Sequence, residues 1–413
     1  MMFRSGHQDH FCREHLPPAS QWPDFRLAEA GLSYPERLNV AVDFVDRHVS
    51  EGRGDKIALV GEGVEWTYAQ LQEVINRIAN VLTRDLGLVP GARVLLRAPN
   101  NPMMAAIYFA IIKAGGVVVA TMPLLRAKEI AYPLNKARIG LAICDHRMMD
   151  EMNAARNLAP SLARIVAFGN GELEGLMAQA GYETFTAADT AQDDVCLIAF
   201  TSGTTGEPKG TMHFQRDLLA ICDTFGARVL CALPEDRFIG SPPLAFTFGL
   251  GGLVLFPLRI GAAGILIEKA GPPDLFAAIH RYGATVSFTA PTAYRAMLDD
   301  VRKSGIGSLR VCVSAGENLP KSTYMAWQEA TGIALLDGLG STEMLHIFIA
   351  SRAGENKPGA TGRVVPGYEA RIIDEEGRDV PDGTPGRLAM RGPTGCRYLS
   401  DDRQMNYVLN GWN

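Results

Sequence analysis

Between residues 191 and 340 short apolar segments alternate with amphipathic helical patterns, which lie between most of these segments. Apolar segments of this length, separated by turn-forming residues, are typical of strands buried on both faces. The candidate strands are 195–200, 237–241, 264–268, 284–288, 309–314 and 333–337. Strands that alternate with helices form a largely parallel sheet with helices on both faces, so this region predicts an α/β fold.

The flanking regions show two other patterns. Residues 37–190 also alternate helices with strands, for example a buried helix at 102–113, two glycines and a buried strand at 117–121. From about residue 355, strands separated by Gly- and Pro-containing turns predict a small antiparallel unit. We therefore predict an N-terminal arm at 1–36, α/β subdomains at 37–190 and 191–354, and a β subdomain at 355–413.

The composition narrows the class of protein. With 47% hydrophobic and 21% charged residues, the chain is typical of soluble globular proteins, and its net charge of −5 gives no basic surface for nucleic acid. The seven cysteines lack zinc-ligand spacing and favour a reducing, cytoplasmic location. No stretch reaches about 18 uninterrupted apolar residues, so we expect neither secretion nor a membrane span.

Polar, glycine-rich loops follow three of the candidate strands, at 201–210, 314–320 and 337–344. Because ligands bind at the carboxyl edge of open parallel sheets, we expect these loops to meet at one edge of the 191–340 sheet. The glycines, the hydroxyl groups and Lys209 of the first loop suit a polyphosphate, although many such loops are only surface turns. The loop lacks the Walker A pattern.

The loop sequence TSGTTGEPKG resembles the phosphate loop of the adenylate-forming superfamily, which includes acyl- and aryl-CoA ligases, nonribosomal peptide adenylation domains and firefly luciferase. SAGENLP is similar to the adenine-binding turn of that superfamily, and GLGSTEM to its Gly-x-x-x-Thr-Glu motif. The motifs occur in the family's order, and the resemblance covers nearly the whole chain. It implies the family's large N-terminal domain: two parallel-rich sheets covered by helices and a small antiparallel β subdomain.

The resemblance also implies roles for individual residues. Lys209, Thr342 and Glu343 are the implied catalytic residues, and Glu343 would hold Mg²⁺, which prefers oxygen ligands. The implied ATP-binding residues are Thr201, Ser202, Gly203, Thr204, Thr205, Lys209, Ala315, Gly316, Glu317, Asp337, Gly338, Leu339, Gly340, Ser341 and Thr342. Positioning and charge neutralisation would supply most of the rate, because the chemistry needs no protein nucleophile.

The segment SPPLAFTFGLGG is similar to the acyl-pocket segment of the family, and GSTEMLHIF resembles the benzoate and 2-aminobenzoate CoA ligases, in which this histidine faces the acyl pocket. The implied substrate-binding residues are Ala245, Phe246, Thr247, Phe248, Gly249, Gly340 and His346. Phenylalanine walls suit a planar ring. The strings LPPASQWP, IGSPPLAFTFGLGG and RGPTGCRYLSDDRQ resemble the 2-aminobenzoate ligases more than the benzoate ones. We therefore expect 2-aminobenzoate, with benzoate or another small aryl acid as the alternative.

Two positions depart from the common family pattern. Leu339 stands where many family members have an aromatic residue that stacks on adenine, and benzoate-type ligases also carry an aliphatic residue there. Gln215 stands where many relatives have a histidine. We assign no catalytic role to His213 and expect it to be a packed or capping residue.

The implied reaction uses ATP, Mg²⁺ and coenzyme A: the acid is first converted to an acyl-adenylate and then transferred to a thiol. The family's mobile C-terminal domain, with its hinge and adenylation lysine, would follow residue 413, so we expect this chain to bind its ligands and to catalyse poorly. A carrier-protein-dependent adenylation domain and a non-catalytic nucleotide-binding module are the rival interpretations. The sequence leaves a monomer or a homodimer open.

Overall fold

The protein is described by a computed structural model that covers residues 2–201, 206–352, 354–355 and 357–413. The strands in chain order are β1 Ile57–Gly61, β2 Val64–Thr67, β3 Arg93–Arg97, β4 Val117–Thr121, β5 Leu141–Asp145, β6 Arg164–Phe168, β7 Val195–Phe200, β8 Gly210–Phe214, β9 Arg237–Gly240, β10 Ala263–Ile265, β11 Val286–Thr289, β12 Val311–Ala315, β13 Leu335–Gly340, β14 Ile347–Ala350, β15 Arg363–Val364, β16 Glu369–Ile373 and β17 Arg387–Arg391.

The α-helices in chain order are α1 Phe11–Glu14, α2 Arg47–Ser50, α3 Tyr68–Asn80, α4 Pro102–Lys113, α5 Ala127–Lys136, α6 Met149–Arg156, α7 Glu172–Met177, α8 Gln215–Ile221, α9 Thr247–Leu250, α10 Phe256–Ile260, α11 Pro272–Tyr282, α12 Pro291–Ser304, α13 Lys321–Thr331 and α14 Gln404–Tyr407. Segments of π-helix adjoin several of them, at Val42–Asp46, Val81–Asp85, Cys222–Leu230 and Gly251–Leu255. Within the described residues, no helix is long and apolar enough to cross a membrane.

Local signals account for the unit formed by α4 and β4. The Asn101 side chain accepts a hydrogen bond from the Met104 N–H at 2.9 Å, and proline at the first helical position suits the fixed φ of that residue. Gly115, at φ +79°, turns the chain after the helix, and β4 begins two residues later. The predicted helix and strand are both confirmed at their expected bounds.

The strands form three sheets. The largest has nine strands in the order β15-β14-β13-β12-β11-β9-β10-β1-β2, and the second has six in the order β6-β5-β3-β4-β7-β8. Both are mainly parallel, with antiparallel strands at their edges. The third is the antiparallel pair β16-β17. This architecture confirms the predicted fold class of two parallel-rich sheets and a small antiparallel unit.

Alternating strand residues divide the interior into layers. In β3, Val94 and Leu96 belong to the largest core, which also includes α3 and α4, whereas Leu95 packs into a second core with α5 and α6. In β9, Phe238 joins the largest core, and Ile239 joins a third core with α11, α12 and α13. The two large sheets therefore share the central core, and each has helices on its other face.

One expectation about the sheets is wrong. Strand β7 does not belong to the sheet that contains β12 and β13: it pairs in parallel with β4 and antiparallel with β8. The three polar loops therefore emerge from two different sheets. The alternation of strands and helices predicts that a buried strand exists, but it carries no information about the strand's partners. The candidate strand at 264–268 is also shorter than expected, because β10 ends at Ile265.

The expected boundary at residue 190 does not coincide with a boundary between the sheets. Strands β1 and β2, from the first part of the chain, lie in the nine-stranded sheet, and β7 and β8 complete the six-stranded sheet. The division into subdomains at 37–190 and 191–354 therefore stays a prediction.

Candidate active site

The loop after β7 is closed at its base by two hydrogen bonds. The backbone N–H of Thr201 donates to the carbonyl oxygen of Lys209 at 2.9 Å, and the N–H of Lys209 donates to Thr201 Oγ1 at 3.2 Å. This closure places Lys209 directly before β8. Four of the predicted ATP-binding residues, Ser202, Gly203, Thr204 and Thr205, lie outside the described residues.

The two later loops leave neighbouring parallel strands. Ala315, at the end of β12, pairs in register with Gly338 on β13, so the predicted adenine-binding turn lies beside the Gly-x-x-x-Thr-Glu motif. Gly316 has a φ of +88°, a conformation that glycine adopts without strain. Glu317 follows it on the exposed side of the turn.

A tight turn between β13 and β14 orients the end of the motif. The N–H of Met344 donates to Ser341 Oγ at 3.2 Å, and the N–H of Leu345 donates to the carbonyl oxygen of Thr342 at 3.1 Å. Leu345 is fully buried at φ +70°, an uncommon conformation for a residue with a branched side chain. Surrounding contacts therefore maintain a strained turn next to Glu343.

Lys209 and Glu343 meet where the two large sheets come together. The Lys209 ammonium nitrogen lies 3.6 Å from Glu343 Oε1, although the two residues follow strands of different sheets. The Glu343 side chain is 7% exposed and that of Lys209 is 24% exposed. The same Oε1 accepts a hydrogen bond of 2.5 Å from the hydroxyl of Tyr398. Burial, together with the nearby Cys396 and Glu343, raises the pKa of Tyr398, so its hydroxyl is protonated and donates.

Residues without a role predicted from sequence complete this cluster. The Lys209 ammonium lies 4.8 Å from the ring centroid of Tyr398 and 5.5 Å from that of Tyr407, within the range of cation–π attraction. The guanidinium of Arg403 donates to the carbonyl oxygen of Glu207, in the phosphate loop, at 2.9 Å. Tyr398 and Arg403 lie in the string RGPTGCRYLSDDRQ, and Tyr407 follows it. The string resembles family members only when it is taken as a whole. No local pattern in that string indicates that it lies beside Lys209.

The predicted adenine side is partly buried. Asp337 is 8% exposed, and its Oδ1 has no hydrogen-bond partner within the described residues. Burial raises the pKa of this carboxyl group to about 6. Leu339, Gly340 and Ser341 line a cavity of about 380 Å³ together with Tyr407. The cavity therefore adjoins Leu339, the position at which an aromatic residue was expected from the common family pattern.

The predicted acyl side contains a histidine enclosed by aromatic rings. His346 is 2% exposed, and burial lowers its pKa to about 3, so the imidazole is neutral. Its Nε2 lies 3.3 Å from the carbonyl oxygen of Phe248. Its Nδ1 has no partner within the described part of the chain. The rings within 6.3 Å of it, centroid to centroid, are those of Phe225, Phe248, Phe256 and Phe288.

Glycines allow this packing. A Cβ atom on Gly251 would lie 2.4 Å from His346 Cδ2, and one on Gly249 would lie 2.2 Å from the carbonyl oxygen of Pro243. Gly340 is similarly constrained, since its Cβ would lie 2.7 Å from the carbonyl oxygen of His346. A side chain at Gly249 would displace the backbone of Pro242 and Pro243, and side chains at Gly251 and Gly340 would displace His346.

A second cavity, of about 450 Å³, lies between the phosphate loop and the predicted acyl segment. Thr201, Ala245 and Phe246 line it, whereas His346 is not among the described residues in its wall. The buried Oγ1 of Thr121, also in the wall, has no partner among the described residues. The structure thus brings the predicted substrate-binding residues together as two groups, one beside the phosphate loop and one around the imidazole.

The two positions without a predicted role lie in the interior. His213, on β8, is fully buried, and burial lowers its pKa, as expected for a packed residue. Gln215 is also buried, and its Oε1 accepts a hydrogen bond from the N–H of Val40 at 3.0 Å. Both side chains support the packing of β8 and α8.

The donor groups at this site fit a magnesium ion that is bound mainly through a nucleotide. Glu343 offers a carboxylate, which is a hard oxygen donor. Within the described residues, no group of three or more His, Cys, Asp or Glu side chains is arranged to hold a metal by itself. Such a donor set suits Mg²⁺, which typically binds through one or two carboxylates together with substrate phosphates and water.

Comparisons with known proteins agree with the fold. Residues 45–398 match the family described as AMP-binding enzyme, and the chain belongs to that family. It is 35% identical over 369 residues to a benzoate–CoA ligase of Thauera aromatica, with 88% of this chain and 70% of that enzyme covered. The chain thus spans about 70% of the length of that relative.

Solved structures show the same relationship. The anthranilate CoA ligase AuaEII in complex with anthranoyl-AMP superposes with a TM-score of 0.88 at 33% identity, covering 92% of this chain and 74% of that chain. A benzoate CoA ligase from Burkholderia xenovorans LB400 superposes with a TM-score of 0.84 at 30% identity, covering 91% and 76%.

Proposed function

We propose that the protein activates a small aromatic carboxylic acid with ATP, forming an aryl-adenylate that is then converted to aryl-CoA, and that 2-aminobenzoate is its preferred acid. The observation that carries the proposal is the contact between Lys209 and Glu343, two residues from separate predicted motifs, at 3.6 Å. An ammonium group and a carboxylate at this distance suit the phosphates and the Mg²⁺ of a bound nucleotide.

In the first step, a carboxylate oxygen of the acid attacks the α-phosphorus of ATP, the bond to the β-phosphate oxygen breaks, and pyrophosphate leaves. Lys209 would neutralise charge on the phosphates, and Thr342 would donate to an α-phosphate oxygen. Glu343 would hold Mg²⁺, whose charge would offset that of the leaving group. In the second step, the CoA thiol sulfur attacks the acyl carbon, AMP leaves, and the thiol proton passes to solvent.

The state of His346 supports an acid that carries an ortho amino group. Since a carbonyl oxygen only accepts, a hydrogen bond between Nε2 and the carbonyl of Phe248 requires the proton to be on Nε2. In the neutral ring, Nδ1 is then an acceptor, and it has no partner within the described residues. An amino group donates to such an acceptor, whereas the hydrogen at that position of benzoate does not. The similarity to both an anthranilate and a benzoate CoA ligase leaves benzoate as the alternative acid.

Acid-dependent exchange of labelled pyrophosphate into ATP tests the first step. We expect exchange with 2-aminobenzoate to exceed exchange with benzoate, and exchange with octanoate to be negligible because aromatic side chains line the acyl region. Faster exchange with octanoate would contradict the proposed acid class while leaving adenylation intact. Because we expect this chain to catalyse poorly, calorimetric binding of each acid in the presence of ATP accompanies the exchange assay. Nucleotide binding without binding of any acid would favour a non-catalytic binding module.

Two further measurements separate the remaining alternatives. CoA-dependent release of AMP tests the second step, and exchange without any CoA thioester would favour an adenylation domain that serves a carrier protein. Replacing His346 with leucine removes the acceptor, so the preference for 2-aminobenzoate over benzoate in kcat/KM should fall about tenfold, as expected for one buried hydrogen bond. An unchanged preference would remove His346 from the acyl site.

A further inference from the structure

We propose that Tyr398 is a positioning residue that holds Glu343 ready for a metal-bound nucleotide. This inference rests on the proposed function, because it concerns the same phosphate site. The three motifs assigned to the nucleotide do not include Tyr398, which lies 55 residues after Glu343 in the chain. The assignment comes from the geometry around Glu343 Oε1.

Tyr398 is itself held rigidly. It is fully buried, its backbone N–H donates to Gln404 Oε1 at 2.9 Å, and it forms an antiparallel bridge with Thr211 on β8. Its ring packs edge-on against Tyr407, with centroids 5.7 Å apart. The hydroxyl therefore occupies a fixed place in the interior, and its hydrogen bond fixes one oxygen of Glu343.

Lys209 and Tyr398, which both contact Glu343 Oε1, differ in how firmly they are held. Lys209 has a long side chain, 24% exposed, on a loop, and a phosphate competes directly for its ammonium group. Tyr398 has no such competing partner in the proposed reaction. When Lys209 turns to the nucleotide, the hydrogen bond from Tyr398 remains and keeps the carboxylate in place. Fixing a flexible side chain before binding removes an entropic cost from the binding step.

The variant Tyr398→Phe tests this role, because it removes the hydroxyl group and retains the ring that faces Lys209. ATP binding is measured by calorimetry on the whole chain, once with Mg²⁺ and once with a chelator. In the parent protein we expect Mg²⁺ to strengthen ATP binding. In Tyr398→Phe, we expect affinity without Mg²⁺ to stay within about twofold of the parent, and affinity with Mg²⁺ to fall about tenfold, as for loss of one hydrogen bond to a charged group.

The matched control is Tyr182→Phe. It removes a hydroxyl that donates a hydrogen bond of 3.1 Å to the carboxylate of Asp85, and this pair lies outside the proposed phosphate site. It should retain the full effect of Mg²⁺, and thermal unfolding of all three proteins verifies that each is folded at the assay temperature. A parent-like effect of Mg²⁺ in Tyr398→Phe would overturn the inference. Equal losses with and without Mg²⁺ would also overturn it, because they indicate a purely structural role. If the parent itself binds no ATP, the proposed function fails instead.

Discussion

The buried ion pair between Asp217 and Arg397 tests which interactions hold the proposed phosphate site together. Both side chains are fully buried and paired, and Arg397 joins the segment that carries Tyr398 to β8 and α8. The Nε of Arg397 donates to the carbonyl oxygen of Met212 at 3.1 Å, and the guanidinium lies 3.8 Å from the ring centroid of Phe214. Asp217→Asn preserves the size of the side chain and removes its charge.

The expected cost follows from the burial of both partners. Removing one member of a fully buried ion pair typically destabilises a protein by about 3–5 kcal/mol, because the remaining charge stays in the interior without compensation. In this protein the carbonyl of Met212 and the ring of Phe214 continue to contact the guanidinium. We therefore expect a loss near the lower end of that range, about 3 kcal/mol.

Urea unfolding followed by tryptophan fluorescence measures this loss. Asp299→Asn is the control, because the pair of Asp299 with Arg302 is exposed and is expected to contribute less than about 1 kcal/mol. Replacing both buried partners, as in Asp217→Leu with Arg397→Met, should recover most of the lost stability. If Asp217→Asn unfolds within about 0.5 kcal/mol of the parent, the pair does not hold the interior together and the reasoning from its burial is wrong.

Three further changes test the two halves of the site. Lys209→Ala should reduce kcat far more than it raises KM for the aryl acid, because phosphate charge develops away from the ring; equal effects in steady-state kinetics would contradict this. Gly251→Ala should displace His346 and raise the Kd for the acid while the Kd for ATP stays constant, whereas Gly175→Ala, whose Cβ meets no atom within 4 Å, should change neither. Burial lowers the pKa of His346 from about 6.5 in the unfolded chain to about 3 in the folded protein, so the unfolded chain binds more protons between these values. The stability that the neutral imidazole contributes is therefore fully present above pH 6.5 and decreases on acidification, by up to about 1.4 kcal/mol per pH unit. Denaturation of parent and His346→Leu at pH 7, 6 and 5 should show a shallower dependence in the variant, and parallel curves would show that the imidazole is not buried as a neutral group.

The sequence predicts those parts of the fold that local signals determine. Helix α4 and strand β4 are confirmed because an asparagine cap, a proline at the first helical position and two glycines fix their limits. The sheet partners of β7 could not be predicted in this way, since an apolar strand fits either sheet and its pairing with β4 depends on distant residues.

The candidate site likewise contains residues that local motifs indicate and residues that only contacts between distant segments reveal. Lys209 and Glu343 are recognisable in the sequence because each lies in a short string that resembles a motif of the family. Tyr398 and Arg403 are not, because their contribution depends on a contact made between distant segments. The separation of Phe246, at the cavity, from His346, among the phenylalanines, also depends on packing that spacing does not reveal.

The origin of Lys209 and Glu343 in different sheets has a consequence for how the protein would respond to its nucleotide. A ligand held by both residues acts as a cross-link between β7-β8 on one side and β13-β14 on the other. Local opening of either sheet edge then requires release of the ligand, so binding would slow amide hydrogen exchange at both edges together. Slower amide hydrogen exchange at one edge would therefore report ligand contact at the other edge.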